Sequence, residues 1–116
     1  MRYMFLVKSD NSVPPTPELF EAMGALIERE TKSGRLKDTG GLMPPEMGVM
    51  MSVSDGKVVM LDGPFTESKE VIGGYAVFEL QSRDEAVEAA TEFMELHARH
   101  MPGWTGLCEV RLIASV

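Results

Sequence analysis

VVMLDGPFTESKEVIGGYAVFEL, residues 58–80, runs from one apolar strand through a turn, a charged run and two glycines into a second apolar strand. Val58–Leu61 and Gly74–Gln81 are rich in β-branched and aromatic residues and bounded by turn chemistry, as strands are. In the second, Ala76, Phe78 and Leu80 share one side, and Tyr75, Val77 and Glu79 share the other. Between the strands lie Asp62, Glu67, Lys69 and Glu70, with Phe65, Gly73, Gly74 and Tyr75 close by. No other stretch sets so many polar side chains beside so much apolar sequence. The candidate site is placed here.

Working upstream, Val49–Val53 and Val58–Leu61 flank Asp55-Gly56, the dipeptide that favours a two-residue hairpin turn. That turn sets Val53 against Val58, Met51 against Met60 and Val49 against Asp62. Asp62 then continues the apolar row by strand parity, an unusual place for an acid. Leu36–Gly48 is broken by Gly40-Gly41 and Pro44-Pro45 and holds at most a short strand and a turn. Further upstream, Thr16 caps a helix opened by Pro17 and Glu18, striped by Leu19, Met23, Leu26 and Ile27, and stopped by Gly34. Arg2–Lys8 has Tyr3, Phe5 and Val7 on one face and Met4 and Leu6 on the other. It reads as an interior strand covered on both sides.

Downstream, Ser82 and Glu85 form a capping box for a second helix. Its inner stripe is Ala86, Ala90, Phe93 and His97, while Glu85, Glu88, Glu92 and Glu95 form a solvated acidic face. Pro102-Gly103 ends it, and Leu107–Ile113 is the last strand, with Cys108, Val110 and Leu112 opposite Glu109 and Arg111.

Strand, helix, a group of strands, helix, strand is the order of an α+β, ferredoxin-like sandwich with an added β-hairpin. Two helices cover one sheet face, yet several strands are apolar on both. A second copy packed face to face is the economical cover, so a homodimer, a dimeric α/β barrel, is expected.

Composition narrows the function. The 116 residues are one domain, residues 1–116, long enough to bury roughly two-thirds of the unfolded surface. Eighteen acids against eleven bases give a formal charge of −7, which repels a phosphate backbone, and no window gathers a basic patch. Nucleic acid is not expected as a partner. No apolar run approaches the about 18 residues of a membrane span, so no membrane association is expected. Residues 3–7 are too short for a signal-peptide core. With one cysteine no internal disulfide forms, which fits a cytoplasmic location. Ten methionines serve as adaptable core filling or as the lining of a ligand pocket.

Residues 58–80 closely resemble the DGPF motif of the YCII-related family: D-G-P-F, then E-x-K-E, then G-G and an aromatic strand. RYMFLV and CEVRLI resemble its first and last strands, so the likeness covers nearly the whole chain. The resemblance implies a ferredoxin-like subunit in a dimeric α/β barrel, a superfamily that includes small-molecule isomerases and oxygenases. Members are largely without a demonstrated activity. Some are fused to, or encoded near, alternative sigma factors, which implies a regulatory setting and a transcription-related protein partner. Shorter relatives have been proposed to use a histidine–aspartate pair with the histidine in the first helix. Residues 18–34 contain no histidine here, so that dyad does not carry over.

Each candidate has a structural reading beside a functional one. Asp62-Gly63-Pro64 makes a tight turn whose carboxylate accepts backbone N–H bonds. Glu67 and Glu70 with Lys69 form the kind of cluster in which carboxylates raise one another's pKa and a cation lowers them, the basis of acid/base work. Asp62, Glu67, Glu70 and Lys69 are the catalytic candidates, and Phe65, Gly73, Gly74 and Tyr75 the ligand-binding ones. Gly73-Gly74 also suits a bulge or close backbone approach. His97 and His100 read as helix-end charge, since two nitrogens make an incomplete metal site. Cys108 reads as a buried small hydrophobe and Trp104 as a closure of the core or dimer rim. The expected function is a small-molecule pocket with cofactor-independent acid/base chemistry of isomerase or lyase type. The rival is a non-catalytic metabolite-binding or regulatory module linked to transcription.

Overall fold

The computed structural model describes residues 1–10, 12–63 and 70–115. Strands β1 (Arg2–Ser9), β2 (Leu36–Gly41), β5 (Val71–Glu79) and β6 (Gly106–Leu112) form one antiparallel sheet in the order β2-β5-β1-β6. Helices α1 (Pro17–Lys32) and α2 (Arg83–His100) make the crossovers, and β3 (Val49–Ser54) with β4 (Lys57–Asp62) forms a separate two-stranded hairpin. Setting that hairpin aside leaves β-α-β-β-α-β with the first and third strands central, the ferredoxin-like arrangement.

β1 takes its central place because Tyr3 and Phe5 are nearly fully buried, while Met4 and Leu6 are half-buried on the opposite face. Tyr3 pairs with Phe78 and Phe5 with Ala76, and the Phe5 and Phe78 rings meet at 4.8 Å. Leu80 and Ala86 complete this core, with Ala89 and Ala90 of α2 packed against it. Small side chains there let α2 approach the sheet closely.

Both helices start where capping chemistry places them. Thr16 Oγ1 accepts from the Leu19 N–H at 3.1 Å, and Ser82 Oγ accepts from the Glu85 N–H at 3.1 Å. The Thr16 hydroxyl also donates to the His100 carbonyl at 2.6 Å, so one side chain begins α1 and ties down the end of α2. Arg29 clamps Glu92 through two hydrogen bonds of 2.7 and 2.6 Å, and Arg35 lies 3.8 Å from Glu85. The acidic face of α2 is therefore partly a helix–helix contact. This corrects the reading of a wholly solvated stripe.

The hairpin register is the expected one: Val53 faces Val58, Met51 faces Met60 and Val49 faces Asp62. Asp55 (φ 51°) and Gly56 (φ 76°) both adopt left-handed backbone, as the turn requires. Every residue of both hairpin strands is exposed, including Met51, Val53, Val58 and Met60. The radius of gyration, 16.0 Å, exceeds the about 13 Å of a compact chain of this length because of this projecting arm.

Residues 36–48 hold the short strand and the turn expected of them, and several strand boundaries differ from the sequence reading by a few residues. Residues 36–41 are a full edge strand, since β5 satisfies the backbone of a segment with poor strand propensity. β5 begins at Val71 and carries both glycines inside it, and β6 spans Gly106–Leu112.

Candidate functional site

Between α1 and the sheet lies a cavity of about 420 Å³, within the range of small-molecule sites. Leu19, Met23 and Ile27 of α1 form one wall, and Phe5, Ala76 and Phe78 of the sheet form the other. α1 carries its apolar stripe as expected, but the stripe covers a space rather than closing on the sheet.

Register brings one end of this space together. Ser9, the last residue of β1, pairs with Val71 of β5 and Gly106 of β6, and Gly41 pairs with Gly74. That end also receives the start of α1 and the close of α2. Gly40, Gly41, Gly73, Gly74 and Tyr75 line the cavity there, joined from α2 and the following loop by His97, Met101 and Trp104.

The glycines have distinct local causes. Val7 pairs with Gly74 but Lys8 with Ile72, so Gly73 is the extra residue of a β-bulge. Nothing lies within 4 Å of where its side chain would stand, and its carbonyl accepts from the Leu42 N–H at 3.0 Å. Gly74 is confined by the Gly40 carbonyl, 3.2 Å from the Cβ position. Gly40 gives way to the Tyr75 ring, and the Tyr75 hydroxyl donates to Asp38 Oδ2 at 3.2 Å. That hydrogen bond, reinforced by the Asp38 charge, holds the phenol above its ordinary pKa.

The charged candidates stand differently. Asp62 is exposed at the end of β4, and Glu70 is exposed just before β5; neither lines the cavity of the single chain. Phe65, Glu67 and Lys69 lie outside the described residues. Gly63 has a packing role: a β-carbon there would overlap the Pro45 carbonyl in the 3-10 turn Pro45–Met47, and its N–H donates to the Gly48 carbonyl at 3.0 Å.

His97 is placed otherwise than expected. It is 7% exposed, and its ring lies between Phe93 (centroids 4.5 Å) and Trp104 (4.9 Å). It is a buried group on the cavity wall rather than a solvated one at the helix end. Trp104 in turn fits because Gly106 has no side chain to meet its indole. The helical spacing of His97 already places it on the stripe of Ala86, Ala90 and Phe93; what the spacing does not show is that this stripe reaches a cavity. Glu30, also on the cavity wall, is 5% exposed and ion-paired to Arg35 Nε at 3.3 Å.

Cys108 packs beside the core, and burial pushes its thiol up to about 11. It is a small hydrophobe at neutral pH rather than a nucleophile. Among the described residues, no group of three or more His, Cys, Asp or Glu side chains could hold a metal ion, and no helix is long and apolar enough to cross a membrane.

The chain is 27% identical over 120 residues to an uncharacterized protein of Rhizobium meliloti (strain 1021), an alignment covering 98% of this chain and 93% of that protein. The family model of the YCII-related domain matches residues 1–102, which takes in the four-stranded sheet up to β5, both helices and the hairpin. The chain therefore belongs to the YCII-related family.

Proposed function

We propose that this chain is a DGPF-branch member of the family that binds a small, mainly apolar organic molecule between α1 and the sheet. The observation that carries this is the cavity itself, apolar walls with a few polar groups gathered at its glycine-lined end. The glycines allow backbone to approach a ligand closely, and Tyr75 adds an aromatic edge.

Asp62, Glu67, Glu70 and Lys69 are the proposed source of charged chemistry. The support is topological: their segment enters β5 at Val71, opposite Ser9, at that same end of the sheet. Glu70 is three residues from Gly73, a reach of at most about 10 Å of extended chain. In this reading the acids exchange a proton with the ligand without a cofactor. Turnover lost in Asp62→Asn and Glu67→Gln, with fold retained, identifies an enzyme. Binding without turnover identifies a sensing module, the form in which a transcription-related partner fits.

The functional unit is a homodimer with the sheets face to face, forming the α/β barrel. Half-buried Met4, Leu6 and Val77 on the face opposite the helix-side core, and the apolar arm β3–β4, support it, since a monomer rarely leaves so much apolar surface open.

The decisive experiment is ligand-observed NMR with a set of small aromatic and branched aliphatic compounds, comparing the native chain with Met23→Trp. Binding that disappears when the indole fills the cavity supports the reading. Binding unaffected by that change, or none at all, removes it. Sedimentation equilibrium at twice the 12.8 kDa chain mass tests the dimer separately.

A further inference from the structure

The ligand needs a polar contact inside the cavity as well as apolar walls, and most polar side chains on the wall are already engaged. Glu30 is paired with Arg35, the Thr39 hydroxyl donates to the Tyr75 carbonyl at 3.0 Å, and the Tyr75 hydroxyl donates to Asp38. Ser9 also has a partner. His97 is half-engaged. Its Nδ1 lies 3.0 Å from the Phe93 carbonyl oxygen, and a carbonyl can only accept, so Nδ1 carries the proton. With Nδ1 turned to that carbonyl, Nε2 is the ring nitrogen left for a ligand, and no hydrogen bond to it is seen among the described residues.

The ring cannot turn freely to change this. It is held between Phe93 and Trp104, and Trp104 is seated over Gly106.

We infer that His97 is the polar anchor of the cavity, its Nε2 accepting a hydrogen bond from the hydroxyl of a phenol-like or enolic ligand. This rests on the cavity reading above and specifies the ligand class. The apolar body of the ligand lies along Phe5, Leu19 and Phe78, while its hydroxyl points toward α2. A site arranged to bond a hydroxyl discriminates strongly against an analogue lacking it, because the acceptor is then left bare.

Calorimetric titration with 4-nitrophenol, kept at a pH below its own pKa so that its hydroxyl can donate, and with nitrobenzene tests this. The native chain should bind 4-nitrophenol at least tenfold more tightly than nitrobenzene, equivalent to about 1.4 kcal/mol. In His97→Phe, which preserves an aromatic ring between Phe93 and Trp104, the two probes should bind alike. Imidazole 15N spectra of the native chain give a readout that needs no variant: 4-nitrophenol should shift the His97 Nε2 resonance and nitrobenzene should not. Equal affinities in the native chain, or an unmoved Nε2 resonance at saturation, overturn the role of His97 while leaving the cavity reading intact. If neither probe binds, both fall.

Discussion

The Tyr75 ring occupies the place a side chain at position 40 would take: its Cε1 atom lies 2.9 Å from the Cβ position of Gly40. The same ring is tethered through its hydroxyl to Asp38, two residues back on the same edge strand. A glycine in β2 and an aromatic residue in β5 thus form one fitted pair at the glycine-lined end of the cavity.

Gly40→Ala should displace the Tyr75 ring and weaken the Asp38 contact, lowering stability by about 1 kcal/mol, with the ring's exposure limiting the loss. Asp38→Asn should bring one of the two tyrosine titrations down toward the ordinary value of about 10. The sign follows from linkage: a phenol raised in the folded state stabilises fully below its unfolded pKa and loses that contribution as pH rises through the folded one. Ultraviolet phenolate titration of the native chain and the variant checks this. Unchanged curves would refute the tether.

Gly63 and Gly73 should respond oppositely to alanine. At Gly63 the obstruction is the Pro45 backbone, which cannot swing aside, so Gly63→Ala should cost about 1–3 kcal/mol and lower the melting temperature by several degrees. Gly73→Ala has open space and should leave the melting temperature within a degree or two of the native value. Because Gly73 lines the cavity, that substitution should instead reduce ligand affinity. Thermal unfolding and titration of both variants separate packing from binding.

The Arg29–Glu92 clamp should make stability fall in acid. Hydrogen bonds from Arg29 hold the Glu92 carboxyl below its ordinary range against the opposing effect of burial, and Arg35 adds to the lowering. A depressed carboxylate contributes stability above its unfolded pKa of about 4.3 and loses it as pH falls through the folded value. Both side chains are around half exposed, so solvent screening limits the contribution to about 0.2–1 kcal/mol. Glu92→Gln should therefore melt slightly lower than the native chain at pH 7, and the two curves should converge at pH 2. A constant difference across that range would rule the clamp out as its source.

The sequence by itself determined the elements and much of their pairing, because their causes are local. Thr16 and Ser82 cap the helices they precede, Asp55-Gly56 sets the hairpin register to the residue, and alternation in β1 separates Tyr3 and Phe5 from Met4 and Leu6. Tertiary structure decided what depends on distant segments meeting. β2 is a strand because β5 offers its ladder, not because Lys37-Asp38-Thr39 favours one. Gly63 is explained by Pro45, eighteen positions away, and Glu92 by Arg29 on the other helix. The cavity is the furthest from view in sequence: an apolar stripe such as Leu19, Met23 and Ile27 has one pattern whether it closes on a sheet or stands off it. His97 follows the same logic, since a histidine near a helix end reads as charge until its neighbours, Phe93 and Trp104, enclose it.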